Sequence, residues 1–382
     1  RMRIEARGPT LFQRGESRLA DDRGCFRRRQ ETQQRGCGLR LARPRRQHAD
    51  EEARRLHLGR NGADEIDARH VDEFGDLLES NLRFAARDHR ADAFAAVKNQ
   101  LGGSYACGAD GTSRICTLTA ADGAELPMRI WLPPNQQKPK AVILAVHGFN
   151  DYSNAFDMPG RWWAKHGIAT YAYDQRGFGR STPMREDYAW SLDTLADDLA
   201  AVIVAAGGAP VHLIGAKIGA TVSAHFAARH PQLLKTLTLI GLPVSGPKSR
   251  ADWIKLAREQ GVRAWARLTM EDRLGAGTPP AMLEAWSDLM GATPLSTMLG
   301  FMGAVGGFNV SADLPRIACP VLAMTSDSKL HPVAEAETWR KQIRQSELAV
   351  IPGDGFHAAA VYPDECARAA LAFIAKHSTQ EH

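Results

Sequence analysis

Six short, unbroken apolar runs punctuate the chain after residue 140: AVILAV (141–146), IATYAY (168–173), VHLIG (211–215), TLTLIG (236–241), PVLAMT (320–325) and ELAVI (347–351). Runs of five or six such residues predict strands buried on both faces, as in a parallel sheet. Ahead of them, RICTLTA and PMRIWLP alternate apolar and polar positions around the turn residues ADGAE, which predicts an antiparallel pair. Between the runs, apolar residues recur at helical spacing over 155–166, 191–206, 217–230, 333–345 and 363–377, and Ser191 stands where it would cap the second of these. Strands and helices in alternation predict an α/β fold: a mostly parallel, eight-stranded sheet flanked by helices.

The alternation breaks once. Residues 245–312 carry Leu, Met and Trp at helical spacing (WIKLAREQGVRAWARL, AMLEAWSDLM), punctuated by Pro and Gly. Long insertions in compact folds usually serve a site, so this segment reads as a helical cap over the carboxyl edge of the sheet, where open α/β sheets bind ligands. Met282, Met290, Met298 and Met302 read as core of that insertion rather than as pocket. The expected organisation is a segment 1–103, a core of 104–244 and 313–378, and a cap of 245–312.

Charge distinguishes the first segment from the rest. Residues 1–100 hold 22 of the 48 Lys+Arg and 17 of the 43 Asp+Glu, so the whole net charge of +5 lies there, with Lys98 as the only lysine. Tracts such as LARPRRQHADEEARR have no apolar period, and only FGDLLESNLRFAA suggests a helix. The segment reads as poorly structured and solvated, and its text resembles an Arg-rich leader dispensable for folding. Interspersed acids and the lack of aromatic partners argue against a nucleic-acid arm. No apolar run approaches the roughly 20 residues that span a bilayer, and no secretory signal opens the chain, so a soluble, cytoplasmic protein is expected. Six scattered cysteines lack metal-ligand spacing, which predicts no metal site and, on balance, free thiols, with a local Cys107–Cys116 pair as the alternative. The oligomeric state has no signature.

The loops after the apolar runs carry the chemistry. AVILAV runs into His147-Gly148-Phe149, VHLIG into Ala216-Lys217-Ile218-Gly219, PVLAMT into Ser326-Asp327-Ser328-Lys329-Leu330-His331, and ELAVI into PGDGFH, ending on His357. Glycines two residues either side of Lys217 fit a sharp strand-to-helix elbow whose apex side chain projects into a cleft.

With VHGFNDYSNAF followed by YAYDQRGFGRS, residues 104–378 resemble the α/β-hydrolase fold superfamily, and in particular its monoacylglycerol lipase and lysophospholipase branch, which acts on acyl esters. The resemblance implies Lys217 at the nucleophile position, His357 as base, the N–H groups of Phe149 and Ile218 as oxyanion donors, and an acid near Asp327. It implies no cofactor and a small-molecule ester substrate. Two positions depart from the pattern: the apex is lysine instead of serine, and the usual acid position falls on Ser328 or Lys329. Asp327 is the expected replacement acid, with Asp354 read as a turn residue. His147 is expected to pack and hydrogen-bond within its own loop and His331 to face solvent. Ser153 and Ser245, as hydroxyl substitutes, lie away from the elbow.

Lysine at the apex leaves three chemistries open. An amine that attacked an ester would leave an amide on the enzyme, so an acyl-lysine cycle is disfavoured. His357 could instead activate water for direct attack, with Lys217 near the oxyanion. A neutral Lys217 could form a Schiff base with a carbonyl substrate, giving lyase or decarboxylase chemistry. A cationic Lys217 could hold a carboxylate without turnover, in a pseudoenzyme.

Overall fold

The computed structural model describes residues 105–109, 114–134, 137–208, 210–247 and 251–378. The expectations for residues 1–103, including a helix near FGDLLESNLRFAA, lie outside the described residues. A single sheet of nine strands runs in the order β1-β2-β3-β5-β4-β6-β7-β8-β9. Its antiparallel edge is β1 (Tyr105–Ala109), β2 (Arg114–Thr119) and β3 (Glu125–Trp131). The parallel part is β4 (Ala141–Val146), β5 (Ile168–Tyr173), β6 (Val211–Ala216), β7 (Leu234–Ile240), β8 (Val321–Ser326) and β9 (Ser346–Ile351). Strands β2 to β9 are the eight expected from the sequence, and β1 adds a ninth at the edge. Every residue of β5, β6 and β8 is buried, which is why these runs show no polar alternation.

Helices cover both faces. On one side, α2 (Leu192–Ala205) and α3 (Ile218–Arg229) pack Leu195, Leu199, Ile203, Val222 and Phe226 against the sheet. On the other, α1 (Asp157–Lys165) and α9 (Pro363–Ser378) bring Trp163 and Phe373 into a second core, and the Trp163 indole donates to the Ala367 carbonyl at 3.1 Å. As expected, Ser191 caps α2, its Oγ accepting from Thr194 N at 3.0 Å. Such a cap stabilises a helix by about 1 kcal/mol.

Between β7 and β8 lie α4 (Ala251–Leu274), α5 (Pro280–Gly291) and α6 (Leu295–Val305). Gly261, at φ 86°, breaks α4 into two runs. These helices have their own core, in which Met290, Met298 and Met302 are buried around Trp265 and Met282 packs at the margin. They meet the carboxyl ends of the strands through Phe149, whose ring stacks on Phe301 at 5.1 Å and lies edge-on to Trp265 at 5.8 Å. Among the described residues no helix is long and apolar enough to cross a membrane.

One cysteine departs from expectation. Cys319 and Cys366 are free and buried, but Cys116 is disulfide-bonded. The antiparallel register of β1 and β2 sets Cys116 opposite Cys107, the two cysteines whose local pairing was the alternative expectation.

Candidate active site

The chain reverses between β6 and α3 at Lys217, with φ 56° and ψ −121°. Among the described non-glycine residues only Asn150 shares a positive φ. Such a backbone costs about 1–3 kcal/mol and persists only where surrounding packing imposes it. Here the packing is explicit. A Cβ on Gly219 would fall 2.3 Å from the Val146 carbonyl oxygen, and one on Gly215 would fall 2.5 Å from that of Gly219. Helix α3 therefore approaches β4 so closely that only glycine fits, and Lys217 N–H is tied to Ile240 O at 2.9 Å.

The lysine side chain is 7% exposed. Its Nζ stands 3.7 Å from the centre of the Phe356 ring and has no hydrogen-bond partner among the described residues. A Cβ on Gly241 would come within 2.7 Å of it, so the amine also leans on the turn after β7. Burial, reinforced by the positive charge of Arg273, holds its pKa well below the ordinary lysine value. The amine is disposed to be neutral.

His357 lies in the loop between β9 and the short helix α8 (Ala358–Val361), 8% exposed. Its backbone N–H donates to Arg273 O at 2.9 Å, and its ring lies 5.2 Å from that of Trp286. Nε2 stands 3.6 Å from Oδ2 of Asp151, close enough to pair electrostatically though longer than a formed hydrogen bond. Nδ1 has no partner among the described residues. Burial pushes the imidazole pKa down, Asp151 pulls it up, and Lys217 and Arg273 push it down again, for a net lowering. The ring is a neutral base at neutral pH.

The acid expected to orient this histidine is not brought to it. Asp327 is exposed, and its Oδ1 accepts from Val333 N at 3.3 Å, at the start of α7 (Val333–Arg340). The chain leaves β8 with Asp327 facing solvent, so the neighbouring Ser328 is the one turned inward. Ser328 is 3% exposed and closes a local turn, its Oγ accepting from His331 N at 3.0 Å. Asp354 is exposed and accepts from Ala276 N at 3.1 Å, consistent with a loop-fixing role.

The loop after β4 adjoins the elbow, since a Cβ on Gly148 would lie 3.2 Å from Lys217 Cβ. Phe149 and Ile218 are thus the residues following two abutting turns. His147 stabilises this arrangement as expected. Its Nδ1 donates to Gly148 O at 2.7 Å while Nε2 accepts from Gln175 N at 2.8 Å, which fixes the tautomer. Asp174 adds a second tie, accepting from Ser153 N at 2.8 Å and Arg180 N at 2.9 Å.

His331 does not face solvent as expected. It is half-buried, with Nδ1 at 3.1 Å from Glu335 and its ring 5.6 Å from Phe356, because the Ser328 turn folds it back toward the elbow. Ser153 is wholly buried and Ser245 bridges to Asn309 through its backbone, and neither stands at the apex. Three residues at the site went unmarked in the sequence: Asp151, Phe356 and Arg273. The first two lie inside strings already singled out, VHGFNDYSNAF and PGDGFH, without having been given a role. Arg273, on a helix between β7 and β8, had no local signal.

Comparison with known proteins agrees with this architecture. The chain is 34% identical over 116 residues to epoxide hydrolase B of Mycobacterium tuberculosis, a match spanning 30% of this chain and 32% of that protein, so about a third of the relative's length. It is 26% identical over 255 residues to RutD of Escherichia coli, spanning 64% of this chain and 94% of RutD. The fold superposes on a thermophilic esterase from Thermogutta terrifontis with a TM-score of 0.61 at 21% identity, covering 72% of this chain and 100% of the esterase. Residues 137–328, half of the chain, match the serine aminopeptidase S33 family. With its parallel sheet, its glycine-bounded elbow and the late histidine, the chain belongs to this family of α/β-hydrolases.

Proposed function

We propose that the protein hydrolyses carboxylic esters with water, rather than an elbow side chain, as the nucleophile. The observation carrying this reading is the Asp151–His357 pair, buried beside the loop of Phe149. Neutral His357 takes a proton from water as its oxygen adds to the ester carbonyl. The tetrahedral oxyanion rests on the N–H groups of Phe149 and Ile218, at the positive end of α3. Collapse expels the alcohol oxygen, which recovers the proton from the imidazolium, and Asp151 offsets the charge that His357 carries in between. Helices α4 to α6 serve as a cap that limits solvent access. A neutral Lys217 turned against Phe356 takes no covalent part. The similarity to an esterase fold is consistent with this chemistry.

Hydrolysis of short and medium acyl p-nitrophenyl esters by wild type and His357→Ala tests the reading. A loss of about 10²-fold or more is expected in the variant, and equal rates would sink the proposal.

A second reading is favoured by the unpartnered, neutral amine itself, which has the character needed to form a Schiff base with an aldehyde or ketone. Borohydride trapping with a panel of carbonyl compounds, read by mass at Lys217, decides between them. The non-catalytic reading with Lys217 as a carboxylate-holding cation has less support, because burial disfavours the ammonium it needs.

A further inference from the structure

Arg273 stands at the last turn of α4 and is tied to the proposed base through the backbone, its carbonyl accepting the His357 N–H at 2.9 Å. Its guanidinium centre lies 5.2 Å from the Trp265 ring and 5.7 Å from the Phe356 ring. Phe356 is the ring that also meets Lys217 Nζ, so the guanidinium and the elbow amine flank one aromatic side chain. Nε donates to Thr269 Oγ1 at 3.1 Å. No carboxylate forms an ion pair with Arg273 among the described residues, although most other arginines around the inserted helices do so, such as Arg258 with Glu186 and Arg263 with Glu284 and Asp288.

Arg273 is half-buried, so a guanidinium among aromatic rings without a counter-charge is partly desolvated, and proteins ordinarily pair such a group. Burial draws its pKa down to about 10, opposed only by Asp272, the exposed next-door residue in sequence. Its positive field reaches both Lys217 and His357, lowering the pKa of each. Among the described residues four of its five N–H donors have no side-chain partner, and their planar fork matches a carboxylate.

We infer that Arg273 is a substrate-binding residue that takes a carboxylate, so that the site selects acyl esters bearing a free carboxylate remote from the scissile bond. The inference rests on the hydrolase reading for the word ester, but the anion site stands on its own geometry. Because the Arg273 carbonyl is bonded to the His357 N–H, the anion and the reacting carbonyl are held in fixed relation, and specificity is set by the spacer between them.

The test separates binding from turnover. The full chain is titrated calorimetrically with the mono-anilide of succinic acid, an anion without an ester, and with its uncharged primary amide, which has no ester either. Wild type is expected to bind the anion at least about tenfold more tightly, the worth of a charge-assisted pair. Arg273→Gln should abolish the preference and Arg273→Lys should retain part of it. Equal affinities in wild type, no detectable binding of the anion, or a preference that survives Arg273→Gln would each overturn the inference. Hydrolysis of p-nitrophenyl hemisuccinate and p-nitrophenyl butyrate is then measured separately. Turnover of the hemisuccinate with the lower KM supports both proposals. An intact anion preference with no hydrolysis of either ester supports the Arg273 site and removes the hydrolase reading.

Discussion

The Nζ of Lys217 lies 3.7 Å from the centre of the Phe356 ring and meets no hydrogen-bonding group among the described residues. Its consequence for stability has a definite sign. The folded pKa is lowered from 10.5, so between the two values the unfolded chain holds a proton that the folded one lacks. Lys217 therefore weakens the fold at neutral pH, and stability rises with pH toward about 10.5 as the unfolded amine also loses its proton. Lys217→Met is expected to be more stable by about 1–3 kcal/mol at pH 7, with the difference shrinking by pH 10. Denaturant unfolding of both proteins at the two pH values checks this. Parallel curves would show that the amine is hydrated in solution.

Asp151 is expected to tune the base. Its carboxylate raises the His357 pKa against the stronger effect of burial, so Asp151→Asn should move the acidic limb of the pH–rate profile to lower pH. The rate constant on the plateau should fall as well, because a weaker base takes the proton of water less readily. Asp327→Asn should leave the profile in place, since that carboxylate holds the start of α7. A shift in the second variant and none in the first would reverse the assignment.

The elbow and the strands were legible because both are written in local text. Runs such as IATYAY match β5 residue for residue, since a strand buried on both faces needs apolar residues throughout. The glycines at 215 and 219 announced the turn because nothing larger fits there. The partner of His357 was not legible. Asp151 and His357 are far apart in the chain, and nothing in GFND marks a carboxylate that will face a histidine from the last loop. Asp327 misled for the complementary reason: its place after β8 was right, but which side chain of Ser326-Asp327-Ser328 points inward depends on how the strand ends. Arg273 belongs to a helix whose orientation over the sheet is set by tertiary packing alone.

The glycines themselves can be tested. Gly219→Ala places a methyl 2.3 Å from a backbone oxygen that cannot rotate away, and a loss of about 1–3 kcal/mol or more is expected. Gly303→Ala, in α6 with nothing within 4 Å of the new carbon, should instead stabilise by up to about 1 kcal/mol through helix propensity. Thermal unfolding of the two variants compares them directly.

Restoring serine should not be enough. Lys217→Ser supplies a hydroxyl at the apex, but Asp151 faces the Nε2 of His357, and its Nδ1 has no partner among the described residues. We expect the double variant Lys217→Ser, Ser328→Asp to exceed Lys217→Ser in ester hydrolysis by up to about 10⁴-fold, the loss seen when the acid of a triad is neutralised. Equal rates would place the acid position elsewhere than Ser328.

The crowding of Gly219 against the Val146 carbonyl and of Gly215 against the first turn of α3 carries a broader implication. The direction of the bond from Cα to Cβ at 217 is dictated by backbone packing that makes no reference to the side chain attached there. Position 217 is in that sense a socket: whatever group is fitted to it, natural or synthetic, starts from the same point beside the Gly148 turn. The scaffold can thus be re-equipped with a different reactive atom while its framework is left untouched.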